Sequence, residues 1–190
     1  MSALRVERLI LPGGWRVLIR PIELDDRETM RRGFEHLSAE ARYFRFFCAR
    51  GPLSESELRY LCDVDQEDHL ALVALADPPF DPPEGLGVVR ALRLGNEPDC
   101  FETAVTVVDY AQGRGLGEAL IRRIAAAVAE RGGERLRFSV LPGNAPMRRL
   151  LHRLAPSSAA IHLGGVLSFD VRPAELAAPA EGWKTGANPA

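Results

Sequence analysis

The 190-residue sequence predicts a mixed α/β (α+β) domain, and three observations carry that expectation. Short stretches rich in branched apolar residues alternate in polarity or run apolar, as strands do. One stretch, residues 118–131, repeats its apolar residues at helical spacing. Strand-like stretches lie on both sides of it, some close enough to pair as hairpins and one reached only through the helix.

In chain order, Trp15 to Ile22 alternates and reads as a strand with Val17 and Ile19 on one face. Asp25 or Asp26 then supplies a capping oxygen for a helix to about Leu37. Ser38 to Phe47 reads as a second helix without a capping box, because Ala41 stands where a Glu or Gln is needed. Ser54 and Glu57 form such a box and open a third helix ending near Cys62. His69 to Ala76 is a continuous apolar run, hence a buried strand, followed by the proline loop 77–85. Gly87 to Leu94 and Cys100 to Val108 pair as a hairpin through the longer loop Gly95 to Pro98.

Leu120, Ile121, Ile124, Ala125 and Val128 define the apolar face of the helix Glu118 to Arg131, which Gly132-Gly133 ends. Arg135 to Leu141 alternates as a strand, Ala145 to Leu154 is a short helix, and Ile161 to Val171 holds one or two strands around Gly164-Gly165. The domain is expected to span residues 1–172. Residues 173–190 are Ala/Pro/Gly-rich without periodicity and are expected to form a flexible tail.

Composition narrows the class further. A net charge of −2 with 26% charged residues and 46% hydrophobic residues excludes a disordered chain. No apolar run approaches the roughly 20 residues of a membrane span, and Leu9-Ile10-Leu11 is too short for a secretory signal, so no membrane partner is expected. Three scattered cysteines, Cys48, Cys62 and Cys100, with no CxxC, speak against a disulfide framework and for a reducing cytoplasm. No histidine or cysteine spacing marks a metal site. Of 24 basic residues only Lys184 is lysine, which coding bias explains; the balance is slightly acidic, and nucleic acid is not an expected partner.

The chemistry concentrates in Gln112-Gly113-Arg114-Gly115-Leu116-Gly117, where a strand passes into the long helix. Glycines let backbone approach a ligand closely, and the helix N-terminus offers free amides with partial positive charge. Together they make a phosphate-sized anion site. A P-loop is excluded because no lysine follows, and a dinucleotide fingerprint because Glu118 stands at the third glycine position.

This turn resembles motif A, (Q/R)xxGxG/A, of the GNAT N-acetyltransferases. Arg20-Pro21-Ile22 with Asp25 or Asp26 resembles the opening strand and first helix of that family. Leu37-Ser38 through Arg45-Phe46-Phe47 resembles the second helix of its bacterial protein-acetyltransferase (Pat-like) branch, and Asn144, Met147 and Leu150 resemble its N-x-x-M-x-x-L helix. The resemblance covers about residues 15–171. It implies the GNAT fold, a mostly antiparallel sheet flanked by helices and splayed at the acyl-CoA site.

It also implies acetyl-CoA as co-substrate and no metal. The amides of Gln112, Gly113, Arg114, Gly115, Leu116 and Gly117 would hold the pyrophosphate, and Val105, Thr106 and Val107 the pantetheine arm, which imitates a missing strand. Asn144 would bind the cofactor by its side-chain amide. Glu102, on the strand entering the motif, matches a glutamate of the Pat-like branch and is the candidate general base. Many members carry a tyrosine as general acid seven residues after Asn144; here that place is Leu151, and Ala155-Pro156 replaces the usual Gly-Phe. Tyr110 and His152 are the substitutes within the sequence.

Arg42, Tyr43 and Arg45 are placed along the acceptor groove, with Phe44 and Phe47 in the core and the core as the alternative place for Tyr43. The function implied is acetyl transfer to a primary amine, in the first instance a protein lysine. A small-molecule amine is the alternative acceptor, and a non-catalytic acyl-CoA-binding regulatory module the alternative class. Homodimers are common among family members, although no exposed apolar stripe in the sequence marks an interface.

Overall fold

The computed structural model describes residues 4–77, 83–176 and 184–185. The described residues build one sheet of nine strands in the order β7-β8-β6-β5-β4-β3-β2-β1-β9. Strands β1 (Glu7–Leu11) and β2 (Trp15–Pro21) pair as a hairpin. Sequence reading leaves β1 out, because its five residues carry Glu7 and Arg8 and run straight into Pro12. Gly13 and Gly14 take φ of +81° and +79°, the left-handed values a tight hairpin turn needs.

The antiparallel run continues through β3 (His69–Ala76), β4 (Gly85–Leu94) and β5 (Glu97–Val107). The β4–β5 connection is tighter than expected: Leu94 pairs with Glu97, so only Gly95 and Asn96 turn the chain. A register shift beside Leu94 absorbs Pro98, which a regular ladder would reject. Strand β6 (Arg135–Val140) lies parallel to β5, and β8 (Val166–Val171) and β7 (Ile161–Leu163) complete that edge around Gly164-Gly165.

Helices α1 (Arg27–Glu35), α2 (Ala39–Phe46) and α3 (Glu55–Cys62) cover the sheet face that bears Ala104 and Thr106. On the other face lies α4 (Leu116–Glu130), the crossover that a parallel β5–β6 pair requires. Its residues Leu120, Ile121, Ile124 and Val128 are fully buried, each worth roughly 2 kcal/mol of burial. Helix α5 (Ala145–Leu154) follows β6.

Capping differs from expectation at one helix. Ser38 and Ser54 cap α2 and α3 as their sequences imply, the latter with the full Ser54–Glu57 box. Asp26 precedes α1 without capping it by its side chain. Its buried carboxylate instead accepts two hydrogen bonds from Arg20, at 2.6 and 2.8 Å, and one from the Glu23 amide. A half-buried guanidinium holds these oxygens more strongly than an exposed helix end does.

Pro173–Leu176 forms a 3₁₀ turn with Pro173 and Leu176 buried, and the Leu176 carbonyl accepts from Arg122 of α4 at 3.0 Å. Lys184–Thr185 (β9) pairs with β1. The rest of the expected tail, 177–183 and 186–190, lies outside the described residues, as do positions 78–82 of the proline loop.

Candidate functional site

The site begins where the sheet comes apart. Strands β5 and β6 pair only at Cys100–Arg135, Phe101–Leu136 and Glu102–Arg137. Beyond Glu102, β5 continues to Val107 and β6 to Val140 without a further pair. The β5 edge there is a strand with one neighbour, and such an edge accepts an extended ligand by backbone hydrogen bonds.

A cleft of about 790 Å³ runs through this opening. Val105, Thr106, Val107, Gln112, Gly113, Gly115, Gly117 and Asn144 all line it. Gly113 and Gly115 take φ of +72° and +86°, so the turn uses the one residue type that adopts them freely. Gly115 stands immediately before α4, whose free amides therefore face the cleft. At Gly117 an added Cβ would find only Leu150 at 3.5 Å and Val107 at 3.9 Å, ordinary contacts. Gln112 donates from Nε2 to the Val107 carbonyl at 3.0 Å and so ties the turn to the end of β5.

Two expected positions stand apart from the cleft wall. Arg114 turns outward: its guanidinium stacks on the Trp15 ring, 4.0 Å from the centroid, and its Nε donates to the Tyr110 carbonyl at 3.3 Å. Leu116 is buried in the core, so only its backbone belongs to the turn. Asn144 has a structural task too, since its Oδ1 accepts the Met147 amide at 3.1 Å and caps α5. Arg122 bonds Glu118 and Leu176, and Arg123 bonds the Arg5 carbonyl, so both tie terminal segments to α4.

The cleft floor beyond the turn follows from sheet register. His69, Leu92 and Glu102 stand side by side across β3, β4 and β5; Ala71, Arg90 and Ala104 form the next row, and Val73, Val88 and Thr106 the third. Glu102 is exposed at the last paired position before the opening, and Ser139 Oγ donates to it at 3.4 Å. Arg90 is only 7% exposed; it donates to the Leu61 carbonyl at the end of α3 and meets His69 Nε2 at 3.1 Å. Burial first, then the nearby Arg45 charge, lowers the Arg90 pKa to about 10. Burial and Arg90 also push His69 down, so its imidazole is neutral with Nε2 as acceptor.

Helix α2 closes this end. Arg45 lines the cleft as expected, but Arg42 stacks on Phe34 and Tyr43 is exposed outside it. Phe44 and Phe47, expected in the core, line the cleft instead; Phe46 packs inward, between the guanidinium groups of Arg45 and Arg50. Leu151 is buried and does not line the cleft. Tyr110 donates its hydroxyl to Glu84 at 2.6 Å and His152 stacks edge-on against Phe169, both outside it. On α5, Pro146, Arg149, Leu150 and Arg153 line the opposite wall. The i, i+3, i+4, i+7 spacing of these four puts them on one face of the helix and is the sequence signal for that wall.

An open sheet with one parallel pair, parted beside a glycine turn at a helix N-terminus, defines the N-acetyltransferase class of α/β proteins. Residues 27–155 match the Acetyltransferase (GNAT) family. The acetyltransferase PA5475 of Pseudomonas aeruginosa is 38% identical over 130 residues, 68% of each chain. The acetyltransferase Pat of Mycolicibacterium smegmatis is 32% identical over 164 residues, 86% of this chain and 48% of Pat. The chain thus spans about half the length of that relative. The GNAT domain of S. lividans PAT superposes with a TM-score of 0.80 at 30% identity, covering 88% of this chain and 96% of that one. The chain belongs to the GNAT acetyltransferase family, whose members transfer acetyl from acetyl-CoA to amine acceptors.

Among the described residues, no helix is long and apolar enough to cross a membrane, and no group of three or more His, Cys, Asp or Glu side chains is placed to hold a metal ion.

Proposed function

We propose that the β5–β6 opening is the acyl-CoA site and that the protein acetylates a primary amine, in the first instance a protein lysine, with Glu102 as general base. The observation that carries this reading is the parting of β5 from β6 directly after Glu102, with the glycine turn at the far end of the same strand. The amides of residues 113–117 bind the pyrophosphate, the free edge at Val105 to Val107 bonds the pantetheine amides, and Asn144 closes the wall. Arg114 enters this reading through its backbone only. Acetyl-CoA supplies an activated thioester carbonyl.

A lysine amine is protonated near pH 7, with a pKa of about 10.4, and attacks only when neutral. Glu102 takes that proton directly or through a water. The amine nitrogen forms its bond to the carbonyl carbon, a β5 amide steadies the negative oxygen, the nitrogen gives up its second proton to solvent, and the carbon–sulfur bond breaks. The thiolate leaves without a tyrosine beside it and takes its proton from solvent. Free Cys48, Cys62 and Cys100 suit a cytoplasmic setting for this reaction.

Thiol release from acetyl-CoA, measured with lysine peptides and small amines, tests the reading. Glu102→Gln is expected to lower kcat about 100-fold or more while acetyl-CoA still raises the melting temperature. Turnover equal to the parent across pH removes Glu102 from the mechanism. Binding of acetyl-CoA without thiol release for any acceptor supports the regulatory alternative instead.

A further inference from the structure

Taking the β5–β6 opening as the acyl-CoA end, we propose that Arg45 and Arg90 form a carboxylate-binding subsite at the acceptor end, selecting an amine that carries a carboxylate close by. For a protein lysine that carboxylate is an acidic flanking residue; for a small molecule it is the acid group of an amino acid.

The argument starts from unbalanced charge. Arg90 is 93% buried by the complement of its 7% exposure, and Arg45 faces it from α2. Among the described residues neither forms an ion pair within 4.0 Å, although 19 such pairs occur elsewhere. The groups that act on Arg90 are Arg45, Cys62 and Tyr60, with no carboxylate among them. Glu102 is the carboxylate that acts on Arg45, with the Arg50 charge opposing it, and it does not reach Arg90. Burying a cation without a counter-charge is costly, and a charged ligand that fills the gap is bound correspondingly well.

Position assigns that ligand to the acceptor. Ser38, at the start of α2, donates its amide to Asp109 next to the glycine turn at 3.2 Å, so α2 runs from the turn towards Arg45. The other carboxylates lining the cleft, Glu40, Asp109 and Glu118, stand at the turn end of that path. Arg90 instead stands in the row of Ala104, next to the row of Glu102. An acceptor whose ammonium faces Glu102 therefore places its neighbouring groups against the guanidiniums. Arg90 uses two of its five N–H donors on Leu61 and His69, and Arg45 makes no hydrogen bond to a described residue, so donors remain for a carboxylate.

The test uses capped five-residue peptides with central lysine and either Glu or Gln on both sides, together with Nα-acetyl-lysine and its amide. Affinity for the CoA-saturated protein is measured by calorimetry, and thiol release is followed separately. Tighter binding of the Glu peptide, by about tenfold, or of the free acid over the amide supports the subsite, and the pair that differs identifies the source. Arg45→Gln should bring that ratio to about one, Arg45→Lys should retain part of it, and Arg45→Glu should favour Lys-flanked peptides. Arg45 is the test position because Arg90 also holds α3 in place. Equal affinity within both pairs, or a ratio untouched in Arg45→Gln, overturns the proposal. Absence of thiol release with the ratio intact counts instead against the acyl-transfer reading.

Discussion

Gly117 is a residue whose substitution should divide folding from binding. Nothing in the protein opposes a Cβ there, and alanine is the better helix former by about 1 kcal/mol, so Gly117→Ala should unfold at higher denaturant. The added methyl points into the cleft wall, and the same variant should bind acetyl-CoA several-fold more weakly in calorimetry. At Gly113, with φ of +72°, alanine should instead cost about 1 kcal/mol of stability. These glycines were legible in the sequence because a strand, a glycine turn and a helix follow one another within twelve residues. Asp26 was not, since its partner Arg20 lies on the preceding strand and only the fold brings the two together. Asp26→Ala should lose about 3 kcal/mol or more in chemical denaturation, because it strands a half-buried guanidinium and an amide.

Helix α2 is the element most open to movement: none of its eight residues is buried, and Arg42, Arg45 and Arg50 hold the region by stacking on Phe34 and Phe46. Its amides should exchange hydrogen by local opening and slow when acetyl-CoA and peptide are both bound. Uniform protection of α2 and α4 without ligand would show that α2 is instead fixed in place. The contrast with α4 also separates what sequence pattern reveals from what it hides. An apolar stripe over fifteen residues announces α4, whereas Tyr43, Phe44, Phe46 and Phe47 divide between solvent, cleft and core according to a groove that local pattern does not encode. Arg90 was hidden for the same reason: it sits within an apolar strand, and its direct partners, Ala71 and Ala104, belong to the two flanking strands and lie 19 and 14 residues away in sequence.

Across the whole molecule the sheet is held shut at one end and open at the other. Arg135 and Arg137 join Glu97 and Asp99 of β5 to Asp170 of β8 at the paired end of β6, and among the described residues no such bridge joins β5 to β6 beyond Glu102. Hydrogen bonds from Arg137 hold the Asp170 carboxyl below its usual range, so the bridge stabilises the fold above the ordinary Asp pKa of about 3.9 and is lost as pH falls through the lower folded value. Asp170→Asn should therefore flatten the acid limb of the stability curve while leaving its neutral-pH shape. The open end is the acyl-CoA site proposed here. A crystal structure of the complex with acetyl-CoA examines that assignment directly. Expected are pyrophosphate oxygens about 3 Å from the amides of residues 113–117, pantetheine along Val105 to Val107, and the thioester on the Glu102 side of β5. Acetyl-CoA bound on any other face, with β5 and β6 parted around nothing, overturns it.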